Sequence, residues 1–405
     1  MRSRRLHRAL APIGWFCFLG AFALGAPAPF HIGFSVDSVS QGEGDQRAAE
    51  VFQQKYGNVA NGGMVRIVIC PDDFMSQQET YISNIVSLAE DPLMKVIVSC
   101  QMVPGTAEAF RRVRAKRPDI LLMGALPAED PLVIGKAADL VLEIDFITRG
   151  YTIPWVAKQL GAKTFIHVSF PRHMSYETLG RRRAVMEAAC KDLGMKFVFQ
   201  SAPDPTSDVG VAGAQQFILE KTPQWLETYG GPGKERVAVF GTNDAQQEPL
   251  IKCIVASSNG IFVEPGTASP INGFPGALAL DLSAERGNWG AIMNKIEKAV
   301  VSRGAGGRIG TWSYGSSYIF TAALGELGKR VQEGKAKVDD PKDIIQALQD
   351  CSPGAKWKVN GYTDRSTGSR IKSYYLTMMD TYIFGKGYMG TTALKVPEKY
   401  FAIAK

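Results

Sequence analysis

No histidine follows His173, and the chain of 405 residues carries only four. The segment Thr311-Trp312-Ser313-Tyr314-Gly315 resembles GxSxG, but an α/β-hydrolase requires a histidine after its serine, which disfavours a hydrolase triad. His167 and His173 flank the end of one apolar run at a spacing that matches no zinc motif, and no metal is expected. Cysteine is scarce as well. Apart from Cys17 in the N-terminal stretch, Cys70, Cys100, Cys190, Cys253 and Cys351 are odd in number and widely spaced, which suits buried free thiols rather than a disulfide scaffold or a CxxC site. Cys253 and Cys351 are the first pair to inspect for a bridge. Phosphate-cradling loops are missing too: Gly42-Glu43-Gly44 lacks the third glycine of a dinucleotide fingerprint, and Gly230-Gly231-Pro232-Gly233-Lys234 lacks the Ser or Thr of a P-loop. No cofactor is expected.

Beyond residue 30 no apolar run is long enough to cross a bilayer. Residues 1–25 stand apart. Arg2, Arg4, Arg5 and Arg8 precede the apolar stretch Ile13 to Leu24, and small residues follow, the pattern of a cleavable export signal. Removing those four arginines and no acid takes the formal net charge from +7 to +3, so the basicity belongs to the leader and gives no case for nucleic acid. With 45% hydrophobic and 21% charged residues the rest is an ordinary globular composition, long enough for two domains.

What the sequence does have is a recurrent short β-branched run ending in polar residues. HIGFSVDS, VRIVICPDD, MKVIVSC, DILLMGAL and LVLEID form a first series, and TFIHVSF, KFVFQSAPD, RVAVFGTND and GIFVEP a second. Each lacks polar alternation and precedes a helix-like stretch, which predicts strands buried on both faces of parallel sheets. The expected architecture is α/β: two Rossmann-like lobes joined by a multi-strand hinge, with residues 31–147 in an N-terminal lobe and 151–265 in a C-terminal one. The chain is expected to change lobes near residues 148–150 and again in the turn-rich segment 264–270. Residues 276–405, including strands at ALALDL and RIGTWSY, would complete the lobes and add a C-terminal extension. Such a hinge favours closure around a ligand.

In open α/β sheets ligands sit at the carboxyl ends of strands. Those ends carry Asp37, Ser38, Asp72, Asp73, Gln101, Asp145, Asn243 and Asp244, whose oxygens accept hydrogen bonds from hydroxyls or amines. Phe170, Trp312 and Tyr314 could stack on the apolar face of a sugar or base. Arg172 and His173 follow the TFIHVSF strand, and Arg181 could turn back to the cleft from its helix. Each aspartate equally suits a helix cap.

The order of these segments resembles the type I periplasmic solute-binding proteins of the ribose/galactose and basic-membrane-protein nucleoside groups, and more closely a bacterial domain family of unknown function. The likeness covers about residues 31–333 and rests on HIGFSVDS, GYTIPWVAKQLGAKTFIHVSF, MSYETLGRRRAVMEAACKDLGMKFV and VAVFGTND. It implies an exported, monomeric, non-enzymatic protein that captures a sugar or nucleoside-like solute for the membrane permease of an ABC importer. The alternative is a periplasmic sensor presenting its ligand to a membrane receptor. Asn243 and Asp244, and an arginine of the 181–183 run, match positions that commonly touch ligand in such proteins. Gln41-Gly42-Glu43-Gly44 stands where ribose-type proteins often carry aromatics, which argues against a simple pentose.

Overall fold

The computed structural model describes residues 29–403 apart from residues 73, 75, 206 and 365 and the side chains of residues 39–43. The export signal expected over residues 1–25, and Asp73, lie outside the described residues.

The first series of apolar runs forms β1 (His31–Val36), β2 (Val65–Ile69), β3 (Met94–Cys100), β4 (Leu121–Ala125) and β5 (Leu140–Ile144). The second forms β6 (Ala162–Ser169), β7 (Lys196–Ser201), β8 (Arg236–Gly241) and the short β9 (Gly260–Ile261). Then come β10 (Gly310–Thr311), β11 (Trp357–Thr363), β12 (Arg370–Met379), β13 (Tyr382–Ile383) and β14 (Gly387–Tyr388). One sheet has the order β11-β12-β5-β4-β3-β1-β2, parallel except for β11. The other runs β7-β6-β8-β9, all parallel, and a bridge from Phe262 to Ile309 leads on to β10, β13 and β14. These are the two α/β lobes that the apolar runs imply.

Every residue of β1 and β5 is buried, because helices cover both faces of the first sheet. Side-chain alternation divides the core accordingly. Ile32, Phe34 and Val36 join Val96, Val98, Leu140 and Leu142 on one face, while Ile97, Leu122 and Val141 join the layer on the other. The helix Ser316–Gln332 belongs to the first of these layers, and two glycines let it come close. A Cβ on Gly325 would sit 2.7 Å from Phe34, and one on Gly328 would sit 2.7 Å from Val96. This close seating fixes the start of the helix, Ser316 to Tyr318, at the seam between lobes.

The chain crosses between lobes three times: after β5 through the helix Phe146–Gln159, after β10 through residues 312–315, and after β12 at residues 380–381. The crossing expected at residues 264–270 is not there. Glu264, Pro265 and Gly266 form a buried loop that fastens the hinge instead, and the chain stays in the second lobe until Thr311. Arg149 Nε donates to Glu264 Oε1 at 2.7 Å, and its other two nitrogens donate to the Gly266 and Pro265 carbonyls. Thr381 Oγ1 donates to Glu264 Oε2 at 2.8 Å, and the Arg149 guanidinium lies 5.4 Å from the Trp312 ring. All three crossings therefore meet at this loop. The turn residues were there to wrap an arginine, not to change lobes. ALALDL is not a strand either: Phe274–Leu278 is a short helix ended by Ala279 in the left-handed region. Among the described residues no helix is long and apolar enough to cross a membrane.

Candidate functional site

In both sheets the strand order reverses beside the lobe's first strand, giving β2-β1-β3 and β7-β6-β8. The crevice at such a reversal, past the carboxyl ends, is where open α/β sheets hold ligands. Asp37, Ser38 and Gln101 lie at that mouth of the first lobe, with Asp72 after the neighbouring β2. Phe170, Arg172, His173, Asn243 and Asp244 lie at the mouth of the second.

A cavity of about 460 Å³ opens between the lobes, a size that suits a small organic ligand. Its first-lobe wall is Gly44 and Arg47 of the helix Val39–Tyr56, Gln101, and Ser316, Ser317 and Tyr318. The second-lobe wall includes Asp244, Thr267, Ser269, Asn272, Arg286 and Trp289. Of the residues singled out from sequence, Gln101 and Asp244 line this cavity. Gln101 takes a positive φ of 56°, uncommon for a non-glycine residue and often found at binding sites. The wall is tightly built: a Cβ on Gly315 would stand 2.9 Å from the Trp289 ring, and one on Gly44 would stand 2.5 Å from Ser317 Oγ. Trp289 packs against Tyr318 and Tyr314, with ring centroids at 5.3 and 5.8 Å. Its Nε1 and the Ser316 hydroxyl are buried and have no hydrogen-bond partner among the described residues.

Asp244 reaches solvent inside the cavity and accepts from Asn272 Nδ2 at 2.8 Å. Desolvation against the cavity wall raises its pKa above the ordinary carboxylate value, opposed by the Asn272 hydrogen bond. Asn243 is the helix cap here: its Oδ1 accepts from the Ala245 amide at 3.0 Å, and Gln246 reaches back to the Asn243 amide. Asp37 is buried, and its backbone amide donates to Asp45 Oδ2 at 2.8 Å. Burial first, then repulsion by Asp45, pushes the Asp37 carboxyl up to about 8, and burial pushes Asp45 up to about 7. Ser38 donates to Asp72 at the same mouth.

Other sequence candidates are committed to structure. Asp145 caps the helix Phe146–Gln159, accepting from the Thr148 amide and hydroxyl and from Asn360 Nδ2, so its oxygens are already engaged. Arg181 points away from the cavity and binds Glu177 at 2.9 Å and the Tyr362 hydroxyl at 3.2 Å. Trp312 is fully buried at the second crossing, where it stacks on Arg149 and cannot offer a face to a solute. Tyr314 donates to the Pro353 carbonyl at 2.7 Å and reaches the site only through Trp289. Arg172 pairs with Asp204 through two bonds of 2.8 and 2.9 Å. His173 stacks on the buried Phe170 at 4.2 Å and meets Thr242 Oγ1 at 3.3 Å. Burial, then the charges of Arg172 and Arg182, lowers it to about 4, so the ring is neutral at pH 7. All five described cysteines are free, and Cys253 and Cys351 sit in different lobes. No group of three or more His, Cys, Asp or Glu among the described residues could hold a metal ion.

Residues missed from sequence include Arg47, Ser317, Tyr318, Asn272, Arg286 and Trp289, which belong to helices and loops rather than strand ends. A signal for two of them existed: Asn288 caps the helix beginning at Trp289, and a paired serine opens the helix carrying Tyr318.

Similarity to known proteins agrees with this architecture. Two uncharacterized proteins of Treponema pallidum (strain Nichols) are similar to the chain. One is 38% identical over 217 residues, 54% of this chain and 96% of the relative. The other is 45% identical over 178 residues, 44% of this chain and 80% of the relative. A crystal structure from Clostridium difficile 630, described as a candidate transcriptional regulator, superposes with a TM-score of 0.74 at 21% identity, covering 88% of this chain and 99% of that one. An ABC transporter periplasmic solute-binding protein from Actinobacillus succinogenes 130z, solved with bound D-allose, gives 0.50 at 10% identity over 76% of this chain and 93% of its own. These likenesses show the type I periplasmic-binding-protein fold, as the sequence resemblance implied. The family model for proteins of unknown function DUF3798 matches residues 30–310, well over half of the sequence, and the chain belongs to that family.

Proposed function

We propose that this protein binds a small polar solute between its lobes, without covalent chemistry, and delivers it to the membrane permease of an ABC importer. The observation that carries this reading is a cavity wall shared by both lobes, with Gln101 and Ser317 on one side and Asp244 and Asn272 on the other. A solute touching both walls favours the arrangement in which they approach, so binding shifts an equilibrium between open and closed lobes. Sugars or nucleoside-like solutes suit a lining of hydroxyls, amides and carboxylates beside Trp289 and Tyr318. Export to the periplasm is supported by the arginine-rich, apolar N-terminal sequence, and a monomer is the expected form. Asp37, Ser38, Asp72, Phe170, Arg172, His173 and Asn243 then frame the crevice around the contact residues.

The Clostridium neighbour, at 21% identity, supports the fold and not a regulatory role here. A sensor that presents the ligand to a membrane receptor uses the same cavity. Mass spectrometry of solutes released from purified protein, followed by calorimetric titration of the solute found, tests the proposal. A stoichiometric polar solute that rebinds supports it; protein that releases nothing, and binds no component of a polar metabolite extract, overturns it.

A further inference from the structure

Trp289 opens the helix Trp289–Ser302 of the second lobe and lines the interlobe cavity, with 8% of its surface exposed. Packing holds its ring. Tyr318 meets it edge-on at 5.3 Å and Tyr314 lies at 5.8 Å, while Gly315 makes room for it, since a Cβ there would stand 2.9 Å from the indole. None of these neighbours accepts from the indole Nε1, which is buried and has no hydrogen-bond partner among the described residues.

The first lobe offers a matching group. Ser316 lines the same cavity, is 1% exposed, and its hydroxyl is equally without a partner among the described residues. It directly follows Gly315, so the residue that seats the Trp289 ring also sets the serine beside it. Thr311 Oγ1 and Trp312 Nε1 are unpaired too, but they belong to the second crossing and do not line this cavity. Buried polar groups in native folds are nearly always paired, so two unpaired ones on one cavity lining mark where atoms from outside the fold complete the bonding.

The chemistry of the lining then restricts what enters. An indole N–H only donates, and an ionised carboxylate only accepts. Asp244 already takes one hydrogen bond from Asn272 and has room for a donor from the solute. A solute meeting both Trp289 and Asp244 must therefore present an acceptor as well as a donor. Hydroxyls, amides and nitrogen heterocycles supply both. A polyamine, which the Asp244 charge alone would attract, has no acceptor to give Trp289.

We infer that Trp289 and Ser316 are specificity-determining residues, one from each lobe, whose N–H and O–H are received by acceptor atoms of the solute and exclude acceptor-free cations. This rests on the interlobe-binding reading and names the donors that act within it. Both groups are covered while the lobes stand together, so the solute meets them as the lobes part. Donors from both lobes on one solute then favour closure.

The test dialyses the full chain, Trp289→Phe and Ser316→Ala against a polar metabolite extract supplemented with millimolar D-glucose, uridine and spermidine. Bound solutes are quantified by mass spectrometry beside a thermal melt of each protein. The wild type is expected to retain at least one acceptor-bearing solute and no spermidine. Each variant is expected to bind that solute about tenfold more weakly, as the loss of one hydrogen bond implies. Ser316→Ala, which deletes only an unpaired hydroxyl, is expected to melt no lower than the wild type. Wild-type affinity in either variant overturns the inference and leaves interlobe binding intact. Spermidine retained by the wild type overturns it as well, and so does a Ser316→Ala protein that melts well below the wild type, since the hydroxyl then has a partner within the fold. Should Trp289→Phe fail to fold, Ser316→Ala decides alone. A wild type that retains nothing overturns the interlobe-binding reading and this inference with it.

Discussion

Arg149 Nε and Glu264 Oε1 stand 2.7 Å apart with neither side chain exposed, and this pair joins the first lobe crossing to a loop of the second lobe. Removing one member of a buried pair leaves the other charge uncompensated, at a cost of about 3–5 kcal/mol. Glu264→Ala should therefore lower unfolding stability by that amount in urea titrations. A loss under about 1 kcal/mol would mean that the pair does not hold the hinge.

The lobes are also bridged at Glu143, on β5, which accepts from Tyr374 at 2.6 Å and from Thr178 of the second lobe at 3.2 Å. Beside it Glu177 accepts from Tyr362 at 2.8 Å, and Arg181 donates to both Glu177 and Tyr362. Burial first, then repulsion from Glu177 and Asp145, pushes Glu143 up to about 8 from its ordinary 4.5. A raised acid pKa means that the bridged state binds the proton more tightly than a solvated one does. Its stabilisation is complete below pH 4.5 and is lost as pH rises through 8. Scattering at pH 5 and pH 9 should show a larger radius of gyration at the higher pH, and Glu143→Gln should remove the difference. A wild-type profile independent of pH would refute this.

Asn243 and Asp244 divide two roles that the sequence could not separate. Asn243→Ala should cost about 1 kcal/mol of stability, as the loss of a helix cap does, and leave solute affinity nearly intact. Asp244→Ala should do the reverse. Removing a charged hydrogen-bond acceptor worth about 1.5–3 kcal/mol weakens binding roughly ten- to a hundredfold. Calorimetry beside thermal melts reads both, and an Asp244→Ala protein with unchanged affinity would reject the contact.

Gly325→Val forces side-chain atoms into the space of Phe34 and Phe52, whose atoms would stand 2.7 and 2.9 Å from the new Cβ. Overpacking of this kind costs about 1–3 kcal/mol and should lift the start of the helix Ser316–Gln332 from the cavity wall. Both stability and solute affinity should fall. Loss of stability alone would show that the helix seat does not position Ser317 and Tyr318.

The strands were legible because residues buried on both faces leave an unbroken apolar run, as in HIGFSV and LVLEI. The mouths of those strands were legible for the same reason, and two of the residues found there line the cavity. The helix-borne residues were not. In Arg181-Arg182-Arg183 adjacent positions point about 100° apart, so the phase of the helix decides which arginine is buried against Phe146, and no local pattern reveals that phase. The aromatic residues of the two walls, Trp289 and Tyr318, come together through contacts distant in sequence. Glu264 to Gly266 carried a correct turn signal, but its purpose depended on an arginine more than a hundred residues away.

The most direct measurement is a crystal structure of the protein with its co-purifying solute bound. The solute should lie in the interlobe cavity, touching Gln101 or Ser317 from the first lobe and Asp244 or Asn272 from the second. Solute held by one lobe alone, or outside this cavity, would contradict the account.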